Sequence, residues 1–259
     1  MAVLKESQNI TIPNADGLRL AARLELPDGP LLGMAMIAPA FGCGKDILIA
    51  SRAARCLLQY GIGTLRLDFT GIGQSEGDFS LTNLDTQIQD FTSAADWLRQ
   101  HVRAPDILIG HSFGGLVALN ACGLIPETKA CVTIATPNSP AHVLEIIGAE
   151  KTHEIEQDGA TRIEVNRQPY TLRRQFVDNA RQFQMADAMR RLKVPLLMMH
   201  SPRDDMVPLH HAQAMFEAAP LPKSLMMIED ADHMVYERPA AEFVVDTIGL
   251  WSRRYLGRE

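Results

Sequence analysis

Long apolar runs are missing from this 259-residue chain. No segment reaches the ~18 consecutive apolar residues that a membrane-spanning helix needs, and the opening "MAVLKESQNITIP" holds no apolar stretch of the signal-peptide kind. A cytoplasmic protein with no membrane partner is expected. Runs of like charge are missing too. The 25 Lys and Arg stand against 31 Asp and Glu, a net charge of -6, so no polybasic arm or basic stripe marks a nucleic-acid partner. Cysteine is scarce. The four present, Cys43, Cys56, Cys122 and Cys131, lack the paired spacing of a metal site. Three of them fall in apolar segments, where a free thiol packs as a small hydrophobe. None of the histidines shows metal-ligand spacing either, and the expectation is no metal and no cofactor.

What the chain does have is 46% hydrophobic residues, ample for one large core. "NITIPNADGLRLAARLEL" alternates around Asn14-Ala15-Asp16-Gly17, as an antiparallel hairpin at a sheet edge does. Beyond it, short apolar runs at 33–38, 63–67, 106–109, 130–135, 194–200 and 224–228 alternate with helical patterns at 46–60, 84–101, after Ser112, and at 239–255. Runs apolar throughout are strands buried on both faces, which predicts an α/β fold with a mostly parallel sheet of about eight strands flanked by helices. A core of residues 1–136 and 194–259 is expected, interrupted at 137–193 by a segment too long for a plain loop. That insert reads as a small cap: helical at 141–151, strand-like around Asp158-Gly159, and helical again from Arg173. Nine Lys and Arg against eight Asp and Glu across it describe a solvated mixed-charge surface rather than an anion site.

One strand ends abruptly in "LIGHSFGGLVAL". Gly110-His111-Ser112-Phe113-Gly114 fits G-x-S-x-G with a strand before and a helix after, the setting in which a strained turn projects a serine hydroxyl away from the chain. A serine that merely caps the following helix is the plain alternative. A hydroxyl becomes a useful nucleophile only beside a base that a carboxylate orients. Loops after later strands supply both: "SPRDDMVP" offers Asp204, chosen over Asp205, and "ADH" offers His233. The order Ser112, Asp204, His233 is the one this architecture uses. Oxyanion donors are expected at the backbone N-H of Phe113, which follows the serine, and of Phe41 in "APAFGCGKD". His111, Met206, Met234, Tyr170 and Phe176 are the expected substrate-lining residues. "DFTGIGQSEGDF" resembles a dinucleotide loop only superficially, since its glycine spacing is wrong and Glu76 and Asp78 would repel a pyrophosphate. It reads as a loop that supports the site.

"RLDFTGIGQSEG", "IGHSFGG", "SPRDDMVP" and "ADH" together resemble the α/β-hydrolases of the bacterial esterase type, over nearly the whole chain. The sequence is similar to the hydrolase part of bacterial fusions with an osmotically induced, peroxide-reducing domain, and to cinnamoyl and feruloyl esterases with a small inserted cap. The resemblance implies a carboxyl ester hydrolase working through an acyl-enzyme on a small-molecule ester, and the apolar walls expected from Phe41, Phe113, Met206 and Met234 favour short aliphatic acyl groups first and aromatic ones next. Thioesterase, amidase or serine peptidase chemistry on the same residues remains open, as does a non-catalytic binding scaffold. Oligomeric state, including a homodimer, is also open.

Overall fold

A computed structural model describes residues 7–257. Eight strands form one sheet in the order β1-β2-β4-β3-β5-β6-β9-β10. Strands β1 (Gln8–Pro13) and β2 (Arg19–Glu25) pair antiparallel at one edge, and β2 is antiparallel to β4. From there β4 (Ile62–Leu67), β3 (Gly33–Ala38), β5 (Ile107–His111), β6 (Ala130–Ile134), β9 (Leu196–His200) and β10 (Lys223–Met227) run parallel. The central strands are buried on both faces for the reason their sequences suggest. Met34, Met36 and Ala38 point into one core cluster and Ala35 and Ile37 into the other, and Leu196 and Met198 alternate with Leu197 and Met199 in the same way.

Helices α1 (Leu48–Gln59) and α9 (Arg238–Arg253) cover one face through the second cluster, whereas α2 (Leu84–His101) and α3 (Phe113–Ala121) cover the other. All nine residues of α3 are buried, which "FGGLVALNA" allows because it carries no charge. Helix α2 starts where the sequence places it, at a capping box in which Asn83 Oδ1 accepts from Thr86 N and Thr86 Oγ1 accepts from Asn83 N. The strand order turns between β3 and β5: from β3 the chain goes to β4 on one side and then to β5 on the other. Loops leaving the carboxyl ends of β3 and β5 therefore flank a crevice, the usual place for a site in such a sheet.

Between β6 and β9 lie α4 (His142–Ile147), α5 (Ala149–Asp158), a two-stranded hairpin of β7 (Ala160–Val165) and β8 (Gln168–Arg173), α6 (Arg174–Gln182) and α7 (Met185–Arg191). Here the structure departs from the sequence reading in three places. The helical stretch at 141–151 is two helices, broken at Gly148 (φ 89°). Asp158-Gly159 is not the hairpin turn: Asp158 ends α5 and Gly159 (φ 84°) is its left-handed cap, while the chain reverses at Asn166-Arg167, both at positive φ. The long helical pattern after Arg173 is split at Phe183-Gln184 into α6 and α7. The segment docks on the core by polar contacts to the start of α2, where Leu84 N donates to Asn179 Oδ1 (3.2 Å) and Asn83 Nδ2 to Gln175 Oε1 (2.6 Å).

Candidate active site

The turn from β5 into α3 holds Ser112 at φ 53° and ψ -124°, a conformation that costs a non-glycine residue on the order of 1–3 kcal/mol. Its backbone is fixed on both sides: Ser112 N donates to Ile134 O (2.8 Å) and Gly115 N to Ser112 O (2.9 Å). The flanking glycines are there because side chains would not fit. A Cβ on Gly110 would fall on the backbone of Gly114, one on Gly114 on the carbonyls of Ala38 and Pro39, and one on Gly115 on Thr136. This close approach sets the serine beside the loop after β3. The Ser112 side chain makes no capping bond to α3, which removes the plain alternative of a helix-capping serine.

His233 instead takes the hydroxyl. Its Nε2 lies 2.9 Å from Ser112 Oγ and its Nδ1 2.9 Å from Asp204 Oδ2. All three residues follow the carboxyl ends of strands β5, β9 and β10, and all three are buried. Asp204 Oδ2 receives the ring while Oδ1 accepts from Met206 N (3.0 Å) and Val207 N (2.8 Å). Burial alone would raise this carboxyl, but the His233 hydrogen bond and charge, helped by the Val207 N-H and His200, outweigh it and hold it below the ordinary aspartate value. Asp205 is exposed. His200 Nε2 donates to Val207 O (2.7 Å), tightening the loop that carries the acid.

His111 is not a lining residue. It is 1% exposed, its Nε2 donates to the His233 carbonyl (2.8 Å), and its Nδ1 has no partner. Burial, reinforced by the neighbouring His233, pushes it down to about 4, so the ring is neutral and Nε2 carries the proton. Its place is to hold the backbone of the base from beneath. Met206 is 43% exposed beside Asp204, and Met234 is half-buried beside His233.

Among the described residues, neither Phe41 N nor Phe113 N has an acceptor in the protein, and the two rings lie 5.3 Å apart. Phe176 from α6 packs on Phe41 (5.4 Å) and faces Phe113 at 6.2 Å. Tyr170 on β8 packs against Phe79 with the rings tilted at 45° (4.3 Å), and Phe79 in turn meets Phe41 (5.4 Å). Phe79, 5% exposed, completes this aromatic cluster, and sequence reading missed it. It sits at the end of "SEGDF", where glycines and charges carry the local signal. The Tyr170 hydroxyl donates to Gly42 O (3.0 Å), tying the hairpin to the loop of Phe41.

Beneath that loop, Asp68 accepts from Lys45 N (2.6 Å), Lys45 Nζ (2.7 Å) and Gln74 N (3.0 Å). The glycines of "GIGQSEG" allow this, since a Cβ on Gly73 would overlap Asp68 and one on Gly71 would overlap the backbone at Phe79. The segment is a brace for the loop, and Asp68 and Lys45 are further residues that sequence reading did not single out. A cavity of about 790 Å³ lies elsewhere, between the loops that precede β3 and β4. That is the amino end of the parallel strands, opposite the crevice, and it contains none of these groups.

An eight-stranded, mostly parallel sheet with a strained serine at the β5-α3 turn defines an α/β-hydrolase architecture. The family model described as "Alpha/beta hydrolase family" matches residues 40–246, and the chain belongs to that family. The esterase domain of a Rhodothermus marinus protein is 33% identical, with a TM-score of 0.78 over 98% of this chain and 100% of that one. Est1E of Butyrivibrio proteoclasticus, solved with ferulic acid, superposes with a TM-score of 0.80 at 21% identity over 95% of this chain and 98% of that one, a likeness of fold. The human mitochondrial palmitoyl-protein thioesterase ABHD10 is 24% identical over 194 residues, 73% of this chain and 62% of that protein. The chain thus matches about six-tenths of the length of that curated relative. No helix among the described residues is long and apolar enough to cross a membrane.

Proposed function

We propose that the protein hydrolyses carboxylic esters through Ser112, His233 and Asp204, by way of an acyl-enzyme. The observation that carries the reading is the bridging imidazole, 2.9 Å from the strained serine on one side and 2.9 Å from a buried carboxylate on the other. In this reading His233 takes the Ser112 proton as Oγ attacks the ester carbonyl, Asp204 stabilises the imidazolium, and the proton passes to the leaving alcohol. The N-H groups of Phe41 and Phe113 receive the oxyanion, a role that suits donors without a protein acceptor. Water then enters by the same base and releases the acid. No cofactor takes part in this scheme.

Residues 137–193 act as the cap, and the acyl group lies against Phe41 and Tyr170, the half-buried rings that the buried Phe79, Phe113 and Phe176 back, with Met206 and Met234 as adaptable walls. Such a wall favours a neutral short aliphatic or aromatic acyl group on a small-molecule ester. The setting in this reading is cytoplasmic, and the net charge of -6 argues against a nucleic-acid partner. A thioester reading has its own support in the thioesterase relatives named above.

The test joins fluorophosphonate labelling to a panel of chromogenic oxyesters and acyl thioesters of increasing length. Ser112→Ala should abolish labelling and lower kcat on the order of 10³-fold or more with the fold intact. Near-native turnover by a folded Ser112→Ala protein would sink the mechanism, and no labelling of the wild type would favour a binding scaffold. A maximum at palmitoyl thioesters would overturn the short-acyl reading and leave the triad untouched.

A further inference from the structure

Helix α4 and the first turn of α8 (His210–Ala218) meet beside the loop that carries Asp204, and three side chains converge there: His142, Glu145 and His211. Their donor atoms lie within 4.8 Å of one another. His142 has an acceptor on each side, Glu145 Oε2 2.7 Å from Nδ1 and Met206 O 2.7 Å from Nε2. A protonated imidazole satisfies both, as an ion pair with Glu145, whereas a neutral one has a proton for only one of them. The group that hydrogen bonding leaves open is on His211. Its Nδ1 lies 2.8 Å from Asn138 Oδ1 and 3.3 Å from Asn138 N, whereas Nε2 is buried with no partner in a residue that is 5% exposed.

A cation at the centre gives His211 Nε2 its missing partner and takes the place of a proton between His142 Nδ1 and Glu145. The geometry points to a divalent first-row metal site, with Zn²⁺ as its occupant, formed by His142 Nδ1, a Glu145 carboxylate oxygen and His211 Nε2. With the metal on those atoms, each ring donates its other N-H to an oxygen already in place, His142 to Met206 O and His211 to Asn138 Oδ1. That is the supporting arrangement metal-bound histidines usually have. Two imidazoles and a carboxylate are a borderline donor set that suits zinc, with a water completing the tetrahedron. Bonds of ~2.0–2.1 Å put ligand atoms roughly 3.4 Å apart, so the widest pair, within 4.8 Å, must close while the Glu145 oxygen moves off its 2.7 Å contact with His142 Nδ1. Glu145, with a side chain 70% exposed, has the freedom to do so. The bound ion pins α4 to α8 and, through Met206 O, to the loop of Asp204. It lies outside the Ser112 site and takes no part in bond cleavage there.

The experiment is a calorimetric titration of untagged, chelator-treated protein with Zn²⁺, paired with Co²⁺ absorption spectra and amide exchange. The expected result is one ion per chain, a tetrahedral Co²⁺ spectrum, and slower exchange in α4 and the 204–209 loop. His142→Ala, His211→Ala and the exposed, fold-neutral Glu145→Gln should each weaken binding tenfold or more, and Asn138→Ala about 10–100-fold through the His211 ring. His233→Ala and His153→Ala should leave binding unchanged. Absence of binding to the wild type overturns the proposal. So does binding that survives Glu145→Gln and His142→Ala, or that disappears with His233→Ala, which would put the ion on the catalytic imidazole.

Discussion

Replacing Asp204 with asparagine should silence the protein without unfolding it, and the geometry says why. Oδ1 accepts from two backbone N-H groups, Met206 at 3.0 Å and Val207 at 2.8 Å, while Oδ2 faces His233 Nδ1 at 2.9 Å. An asparagine there has one orientation open to it. Its carbonyl must stay on the two N-H groups, because turning the amide would set an NH₂ against two donors and leave buried groups unpaired at about 1–3 kcal/mol each. The NH₂ then points at Nδ1, which has to accept, so the imidazole proton moves to Nε2. That nitrogen faces Ser112 Oγ, and a protonated Nε2 cannot remove the serine proton. A triad locked in the wrong tautomer loses on the order of 10⁴ in kcat, about 5 kcal/mol at ~1.36 kcal/mol per decade. The assay is steady-state ester hydrolysis on Asp204→Asn and Asp205→Asn proteins of matched circular dichroism and melting temperature. KM should change little for either, and Asp205→Asn, exposed as it is, should stay within about twofold of wild type. An Asp204→Asn enzyme within about tenfold of wild-type kcat, or an equal loss at Asp205, would refute the assignment of the acid.

Two further outcomes rest on single contacts. His111, held down to about 4 by burial, has a folded value below the ~6.5 of an unfolded histidine. The unfolded chain therefore binds more protons between those limits, and stability falls as pH drops from about 6.5 toward 4 by on the order of 3 kcal/mol. Chemical denaturation across that range should show the loss, and His111→Gln should flatten it; an unchanged slope in the variant would show that His111 does not set it. Tyr170→Phe removes the hydroxyl that donates to Gly42 O. It should cost about 1 kcal/mol of stability and lower kcat for every ester rather than selecting among them, which kcat measured across acyl lengths would check.

The central strands β3, β5, β6 and β9 were readable in advance because they have no exposed face. A run such as "GMAMIA" feeds alternate residues into two buried clusters, as a strand between two helix layers does. The serine turn was readable for a related reason: glycines at Gly110 and Gly114 are demanded by backbone contact, and the demand appears directly in the sequence. The insert was less legible because one chemical signal has two uses. Asp158-Gly159 supplies a left-handed residue, which serves a hairpin turn or a helix end equally well, and here it ends α5. The true reversal at Asn166-Arg167 contains no glycine at all. Long-range polar partners left even less trace. His111 beneath His233, Asp68 on Lys45, and the approach of His142 to His211 depend on strand order and on how α4 crosses α8. No local spacing encodes either.

The loop at 41–45 is where these separate supports converge. Asp68 holds its far end through Lys45, the Tyr170 hydroxyl holds Gly42 O, and Asn166 Nδ2 lies 2.8 Å from Cys43 Sγ. Gly42, at φ 65°, lets the hairpin come so close that a Cβ there would press on Val165 at 3.0 Å. Two of the three ties come from the insert and only one from the sheet. An insert that merely roofed the crevice would affect how substrate binds. If Phe41 N-H receives the oxyanion as proposed, an insert that also fixes its loop fixes a donor whose value lies in being held in place before charge develops. Changes in the hairpin should then reach kcat as well as KM, and a hairpin variant that alters KM alone would show that the insert only roofs the site.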